Sequence, residues 1–236
     1  MPFLRGTLFT VLAYGLMVAM GVAGAPFVLW RTDWTRAWQK LYIALAFGLA
    51  RGICGITVEI RGPVPEGTVI VAAKHQSLLD VLAIYRALPE PRFVMKRELL
   101  WMPVFGLYAR RTGAVPIDRS GGRGTLKQLA GNFAGKTGQF VIYPQGTRVA
   151  PGVKAPYRKG GAVLYEALDL PMVLAVTNGG WFWPRRGVSK FPGLAVVEFL
   201  ETVPPGLPVK EATRLIEARI ETASERLSDE AKAARK

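Results

Sequence analysis

The only histidine in the chain, His75, stands five residues before Asp80 in the stretch HQSLLD. An imidazole backed by a carboxylate is general-base chemistry. The carboxylate fixes the tautomer through Nδ1–H and stabilises the imidazolium, and Nε2 is left to take a proton. Imidazole titrates near neutral pH, which suits that work. The spacing restricts how the two can meet, because five residues on one ideal helix leave side chains about 140° out of phase. Pairing therefore requires His75 in a loop ahead of the helix that carries Asp80. The same residues have a purely structural reading. Ser77 is a good N-cap, and Asp80 falls three residues later, where a capping box usually has Glu or Gln. Ser77 is a poor nucleophile for the pair, being two residues from His75 and needed as a cap. A base here is expected to serve a hydroxyl on a substrate.

The elements that would position this pair follow from the flanking pattern. TVIVAA (68–73) reads as a buried strand, so His75 lies just past its C-terminal end, where ligands gather in open α/β sheets. Further β-rich runs are ITVEIR (56–61), RFVMK (92–96), GAVPI (113–117), QFVIYP (139–144), MVLAVT (172–177) and LAVVEFLE (194–201). Helical stretches fall near 77–88, 122–134 and 160–169, and 208–228 reads as a charged amphipathic helix. The alternation predicts a single α/β domain with a mixed, largely parallel sheet flanked by helices. Its strand exits deliver cations: Lys96 after RFVM, Arg119 in GAVPIDRS, Arg148 in YPQGTR, and Arg158 with Lys159 in YRKGG. Arg grips phosphate bidentately and Lys as a point charge. Any one of them alone reads as a solvated surface charge; their repetition at strand ends points to an anionic ligand on one rim.

Composition agrees with an anionic partner. Lys and Arg number 31 against 17 Asp and Glu, a formal charge of +14 in 236 residues, and half of the residues are hydrophobic. Such a balance suits a phospholipid surface, a phosphorylated substrate or nucleic acid. Residues 7–30 carry no charge, and the run exceeds the ~20 residues that cross a bilayer as a helix. A secretory signal is the rival, since AGA at 23–25 resembles a cleavage site, but the apolar run continues past it and Pro26 would follow the cut. Trp30, Trp34 and Trp38 then recur at four-residue steps beside Arg31, Arg36 and Lys40. Aromatic rings next to cations suit a helix at headgroup level, the alternative being a stripe packed on the core. The organisation expected is residues 1–54 as hydrophobic membrane-anchoring helices and 55–236 as the α/β catalytic domain. The single cysteine, Cys54, precludes an internal disulfide and a cysteine-based zinc site, and fits a reducing compartment.

Other functional classes fare worse. AGNFAGKT (130–137) resembles a phosphate-binding loop, but such a loop follows a strand and opens a helix. This one ends a helical stretch and leads into QFVIYP, so it reads as a helix terminus and turn. No G-x-S-x-G elbow of a serine hydrolase occurs. Nucleic-acid binding would use the charge and leaves the apolar run without a role. A non-catalytic anionic-lipid-binding membrane protein keeps the anchor and cations and has no need of His75. The aromatic and basic stretch WFWPRRGVSKFPG (181–193) fits headgroup contact, gating of an acyl chain, or packing at the sheet edge.

Taken together, HQSLLD, MKREL with GAVPIDR, YPQGTR and LPMVLAV resemble the four ordered blocks of the glycerolipid acyltransferases. The likeness is greatest to the bacterial 1-acylglycerol-3-phosphate acyltransferases, and runs from about residue 55 to 205. It implies that His75 and Asp80 form the catalytic base. It also implies that Arg119, Gly146 and Arg148 bind the glycerol-phosphate acceptor, with Lys96 as a further candidate and Gln145 and Thr147 as contacts of the third block. The resemblance further implies that the fourth block, around Pro171, shapes the acceptor or acyl site. Two positions depart from the pattern: Lys74 stands where Asn is common and Gln145 where Glu is common. The implied reaction carries a fatty acyl group from a thioester, on CoA or acyl carrier protein, to the 2-hydroxyl of lysophosphatidate. It needs no metal, resident cofactor or covalent enzyme intermediate. The implied setting is the cell inner membrane, with the catalytic domain facing the cytoplasm, membrane lipids as partners and no nucleic acid. Another lyso-lipid acceptor, such as lyso-ornithine lipid, fits the same blocks.

Overall fold

All five residues of β2 (Val69–Ala73) are buried, as befits a central strand covered on both faces. The computed structural model describes residues 1–28, 30–117, 131, 133 and 135–234. Around β2 lie β1 (Ile56–Arg61), β3 (Pro91–Lys96), β4 (Val115–Ile117), β5 (Gln139–Ile142), β6 (Met172–Thr177) and β7 (Gly193–Val203), in the order β1-β7-β6-β2-β5-β3-β4. The five strands from β6 to β4 are mutually parallel. β7 runs antiparallel to β6 and parallel to β1. The sheet is thus mixed and largely parallel, and the exits of β2, β3, β4, β5 and β6 share one edge.

Alternate residues of a strand face opposite ways, and each face of β2 has its own helix layer. Val71 and Ala73 pack with Phe9 and Ala13 of α1 (Pro2–Val28), Ala50 and Cys54 of α2 (Thr32–Cys54), and Leu79, Ala83 and Ile84 of α3 (Leu78–Ala87). On the other face, Ile70 and Ala72 meet Phe133 and two helix segments: Gly160–Leu168, and Val209–Ala233 through Ala212, Ile216, Ile220 and Leu227. The strands and the helices at 78–87 and 160–168 lie within a residue or three of their expected positions; the last helix runs to Ala233 rather than 228. The helix expected near 122–134 lies mostly outside the described residues, of which 131 and 133 are helical. Three further elements had no counterpart in the sequence pattern: 3-10 turns at Arg97–Trp101 and Gly179–Trp181, and the helix α4 (Phe105–Arg111). In chain order the last two helices are α5 (Gly160–Leu168) and α6 (Val209–Ala233).

α1 alone among the described helices is long and apolar enough to cross a membrane. It lies on the domain instead of standing away from it. Trp38 Nε1 donates to Met20 O, Tyr42 Oη to Ala13 O and Cys54 Sγ to Arg5 O, so α1 and α2 are antiparallel. At one end Lys190 N donates to Pro2 O; at the other Tyr108 Oη donates to Gly21 O at 3.0 Å. Two glycines allow the contact. A Cβ on Gly6 would lie 2.0 Å from Val188 O, and one on Gly21 2.2 Å from Val104 Cγ1. Phe9 is 1% exposed, and burying a ring of this size stabilises by roughly 1.5–3 kcal/mol. The N-terminal helices therefore share the core of the α/β unit. Their outward side differs: Leu4, Leu8, Val11, Tyr14, Val18 and Val22 are exposed along α1.

Candidate active site

Ser77 is extended (φ −148°, ψ 173°), and its Oγ accepts from Leu79 N at 3.0 Å, which starts α3 at Leu78. His75 therefore sits in the short link between β2 and α3, as pairing requires. Asp80, on the first turn of α3, is fully buried, and its two oxygens divide the labour. Oδ2 accepts from Gln76 N (2.7 Å) and Ser77 N (2.9 Å), which is the capping box. Oδ1 lies 3.0 Å from His75 Nδ1. The structural reading and the paired reading of Asp80 are thus one arrangement. Backbone donors hold the carboxylate, and the carboxylate holds the ring.

His75 is stacked on Tyr143, with centroids 3.9 Å apart and planes 20° from parallel. The His75 side chain is 16% exposed, and Nε2 has no hydrogen-bond partner among the described residues. Tyr143, which follows β5, was not singled out by the sequence pattern. Its hydroxyl is buried, and burial first, then the neighbouring Asp80 charge, hold its pKa well above the ordinary phenol value. It acts as a neutral wall for the imidazole.

The segment after Tyr143 carries the third block. Gly146 N donates to Tyr143 O at 2.8 Å, and Gly146 has φ +68°, the left-handed region that disfavours a side chain. A Cβ there would also press on the Arg158 side chain at 3.1 Å. Val149 N donates to His75 O at 2.8 Å, so the Gly146–Thr147–Arg148 turn is tied directly to the histidine link. Among the described residues the side chains of Arg148 and the exposed Arg158 have no ion pair. Lys96 ends β3 on the same edge. It is two strands from β2 in the sheet order, about 10 Å across at ordinary strand spacing. Arg119 lies outside the described residues.

The two departures, Lys74 and Gln145, converge. Lys74 Nζ is 2.5 Å from Glu221 Oε1, and Gln145 Nε2 is 3.4 Å from the same oxygen. Glu221 is on α6, and nothing in the local sequence pattern marks it. Of the tryptophan stripe, Trp30 and Trp34 are 77% and 52% exposed, whereas Trp38 is half-buried with its indole N–H on Met20 O. The 181–193 stretch packs on the N-terminal helix: Trp183 meets Phe9 edge-on at 5.0 Å, and Phe182 is 1% exposed. The described end of the 130–137 segment leads into β5 through a turn in which Lys136 N donates to Phe133 O.

A model of the Acyltransferase family matches residues 55–176. A 1-acyl-sn-glycerol-3-phosphate acyltransferase of Pseudomonas aeruginosa is 34% identical over 174 residues, 72% of this chain and 67% of that protein. The 1-acyl-sn-glycerol-3-phosphate acyltransferase alpha of Mus musculus is 30% identical over 163 residues, 65% of this chain and 57% of its own length. The crystal structure of the 1-acyl-sn-glycerophosphate (LPA) acyltransferase PlsC from Thermotoga maritima aligns with a TM-score of 0.75 over 96% of this chain and 99% of that one, at 22% identity, a likeness of fold. The family match contains the whole of the His75–Asp80 turn and the Gly146–Arg148 loop, and with it the chain belongs to the acyltransferase family.

Proposed function

We propose that the protein transfers a fatty acyl group from an acyl thioester to the 2-hydroxyl of lysophosphatidate, giving phosphatidate, with His75 and Asp80 as the general base. The observation that carries this reading is the position of His75 Nδ1, 3.0 Å from a buried carboxylate at the exit of the central strand. The 34% identical relative is named for acylation of 1-acyl-sn-glycerol-3-phosphate, which supports this acceptor.

In this reading the thioester carbonyl lies beside Nε2. The acceptor phosphate rests on Arg148 and Arg119, with Lys96 at the edge of reach. Nε2 takes the 2-hydroxyl proton as that oxygen attacks the carbonyl carbon. The tetrahedral intermediate collapses, the C–S bond breaks, and the imidazolium returns the proton to the departing thiolate. Asp80 keeps the tautomer and stabilises the imidazolium, as a triad carboxylate does. The acyl group passes directly to the acceptor oxygen, so the scheme calls for no covalent enzyme intermediate, metal or resident cofactor. Acyl-CoA or acyl carrier protein is the co-substrate.

The setting proposed is the inner membrane, with the α/β domain on the cytoplasmic side. Because α1 is tied to the domain near Pro2 and again at Gly21, about 28 Å apart at 1.5 Å per residue, it lies in one leaflet along the domain rather than across the bilayer. The exposed side chains of Trp30, Trp34, Trp101, Met102 and Phe105 add aromatic and apolar surface beside cations such as Arg110, whose guanidinium lies 5.1 Å from the Trp101 ring centroid.

The test is to give purified protein, on vesicles of phosphatidylglycerol and phosphatidylcholine, a panel of lyso-lipids with acyl-CoA or acyl carrier protein. Phosphatidate from lysophosphatidate, absent with His75→Ala, supports the reading. Faster turnover of lyso-ornithine lipid would reassign the acceptor. Binding without transfer to any acceptor would make the protein a lipid-binding module.

A further inference from the structure

One carboxylate from the last helix holds the back of the site. Glu221 Oε1 receives Lys74 Nζ at 2.5 Å, Tyr157 Oη at 2.7 Å and Gln145 Nε2 at 3.4 Å. Each of these partners adjoins a residue of the front. Lys74 precedes His75, Gln145 precedes Gly146, and Tyr157 precedes Arg158. Alternation along the chain sends Lys74 to the α6 side of the sheet and His75 to the α3 side, so Glu221 acts from behind and is not placed to touch substrate.

The contact is compulsory in electrostatic terms. The Lys74 side chain is 2% exposed and that of Glu221 19%. A buried ammonium without a counter-charge is strongly unfavourable. Tyr157 stays protonated and donates to the carboxylate, because burial first and then the bond to Glu221 raise its pKa. The segment between Gln145 and Tyr157 is closed at its base, since Arg158 N donates to Pro144 O at 2.9 Å and Gln145 Nε2 also reaches Ala155 O at 3.4 Å. Both ends of the loop that bears Arg148 thus share one oxygen with the residue next to the histidine.

We propose that Glu221 is a positioning residue for acyl transfer: through Lys74, Gln145 and Tyr157 it fixes the Arg148 loop against the His75 link, and so sets the separation between the acceptor phosphate and the base. The inference rests on the reading given under Proposed function. It makes the C-terminal helix part of the catalytic framework rather than a cover for the sheet.

The experiment compares two double variants. Lys74→Met with Glu221→Leu removes both buried charges together, so the fold has no unpaired ion. It is expected to melt near the parent temperature, yet to lose roughly 10- to 100-fold in kcat with lysophosphatidate, the cost of about an ångström of misplacement. Its KM for the thioester should be unchanged. The amide variant, Lys74→Gln with Glu221→Gln, replaces the ion pair by a neutral hydrogen-bonded pair and keeps an acceptor oxygen at 221 for Tyr157 Oη and Gln145 Nε2, and is expected to return kcat to within about fivefold of the parent, since the geometry is rebuilt. If the apolar variant folds and turns over at the parent rate, Glu221 only neutralises Lys74 and the inference is overturned. If it is slow and the amide variant is equally slow, the bonds gathered at 221 do not set the geometry and the inference also fails. Loss of transfer in the parent protein itself would instead strike the acyltransfer reading.

Discussion

The link after β2 and the loop after β5 lie side by side, joined by Val149 N on His75 O, yet they differ in how fully their polar groups are used. At the link, Asp80 is 0% exposed and accepts from two backbone amides while lying within bonding distance of the imidazole. Ser77 caps α3, and Tyr143 closes one face of the ring. In the loop, the Arg148 guanidinium has no ion pair among the described residues, and its backbone carbonyl is taken by Arg185. In the proposed reading the base is built in advance, with its tautomer and ring plane set by Asp80 and Tyr143. The arginine loop, the proposed anion-binding side, has its backbone fixed and its Arg148 guanidinium without an ion pair among the described residues. That division suits a reaction in which proton transfer must be geometrically exact while the phosphate only has to be held.

The comparison is broken or upheld most strongly at the base. His75→Ala is expected to lower kcat by about 10³-fold, within the usual range for loss of a general base, with little change in melting temperature because the ring is a partly exposed cap on Tyr143. Asp80→Asn is expected to approach the same loss, since an amide favours the wrong tautomer. It should also destabilise, because Oδ2 serves two backbone donors. Stopped assays and thermal melts of both variants check this; near-parent kcat in His75→Ala ends the general-base reading. Arg148→Ala comes next. Removing one charge-assisted phosphate contact is expected to raise the KM for lysophosphatidate by about 10- to 100-fold, with kcat and melting temperature nearly unchanged. Arg119→Ala is expected to act in the same way. A change confined to the thioester KM would show that the loop serves the donor instead.

Membrane delivery is a smaller effect. Removing residues 1–50 would expose the core, since Phe9, Ala13 and Ala50 belong to the cluster beneath the sheet. The cleaner change is Leu8→Glu with Val18→Glu on the exposed side of α1. The ratio of activity on vesicle-borne acceptor to that on a short-chain soluble acceptor is expected to fall about tenfold, as two charges oppose burial of an apolar helix face in the leaflet. An unchanged ratio would leave α1 as a core helix with an apolar surface.

The strands were legible because β-rich runs are short and bounded by Gly, Pro and Asp, and the histidine link was legible because a strand exit and a capping serine frame it. Three features were not. The turn at Arg97–Trp101 and α4 arise from an apolar stretch interrupted by Pro103, whose periodicity is too short to read. Trp38 shares its four-residue spacing with Trp30 and Trp34, but each four-residue step rotates about 40° around a helix, which turns its indole toward Met20. Glu221 is 147 residues from Lys74, and no local pattern encodes a contact made only when α6 packs on the face of the sheet behind β2. The lysine and glutamine that depart from the family pattern could have raised the question of a distant carboxylate, without naming it.

The smallest effect separates the cap from the base. Ser77 Oγ accepts from Leu79 N at 3.0 Å and Ser77 is fully buried, so Ser77→Ala leaves one amide of the first turn unsatisfied. Loss of such a cap costs about 1 kcal/mol, which in a chain of this size lowers the melting temperature by about 2–4 °C. The imidazole should hardly notice. Its partner is Asp80 Oδ1, and Asp80 keeps its own bonds to Gln76 N and Ser77 N through the main chain, which the substitution leaves in place. Turnover of Ser77→Ala is therefore expected within about threefold of the parent, since the base stays within hydrogen-bond reach in its working tautomer. If Ser77→Ala instead lost activity as deeply as Asp80→Asn, the capping hydroxyl and the carboxylate would form one inseparable unit. The histidine link would then be no better fixed than the arginine loop beside it.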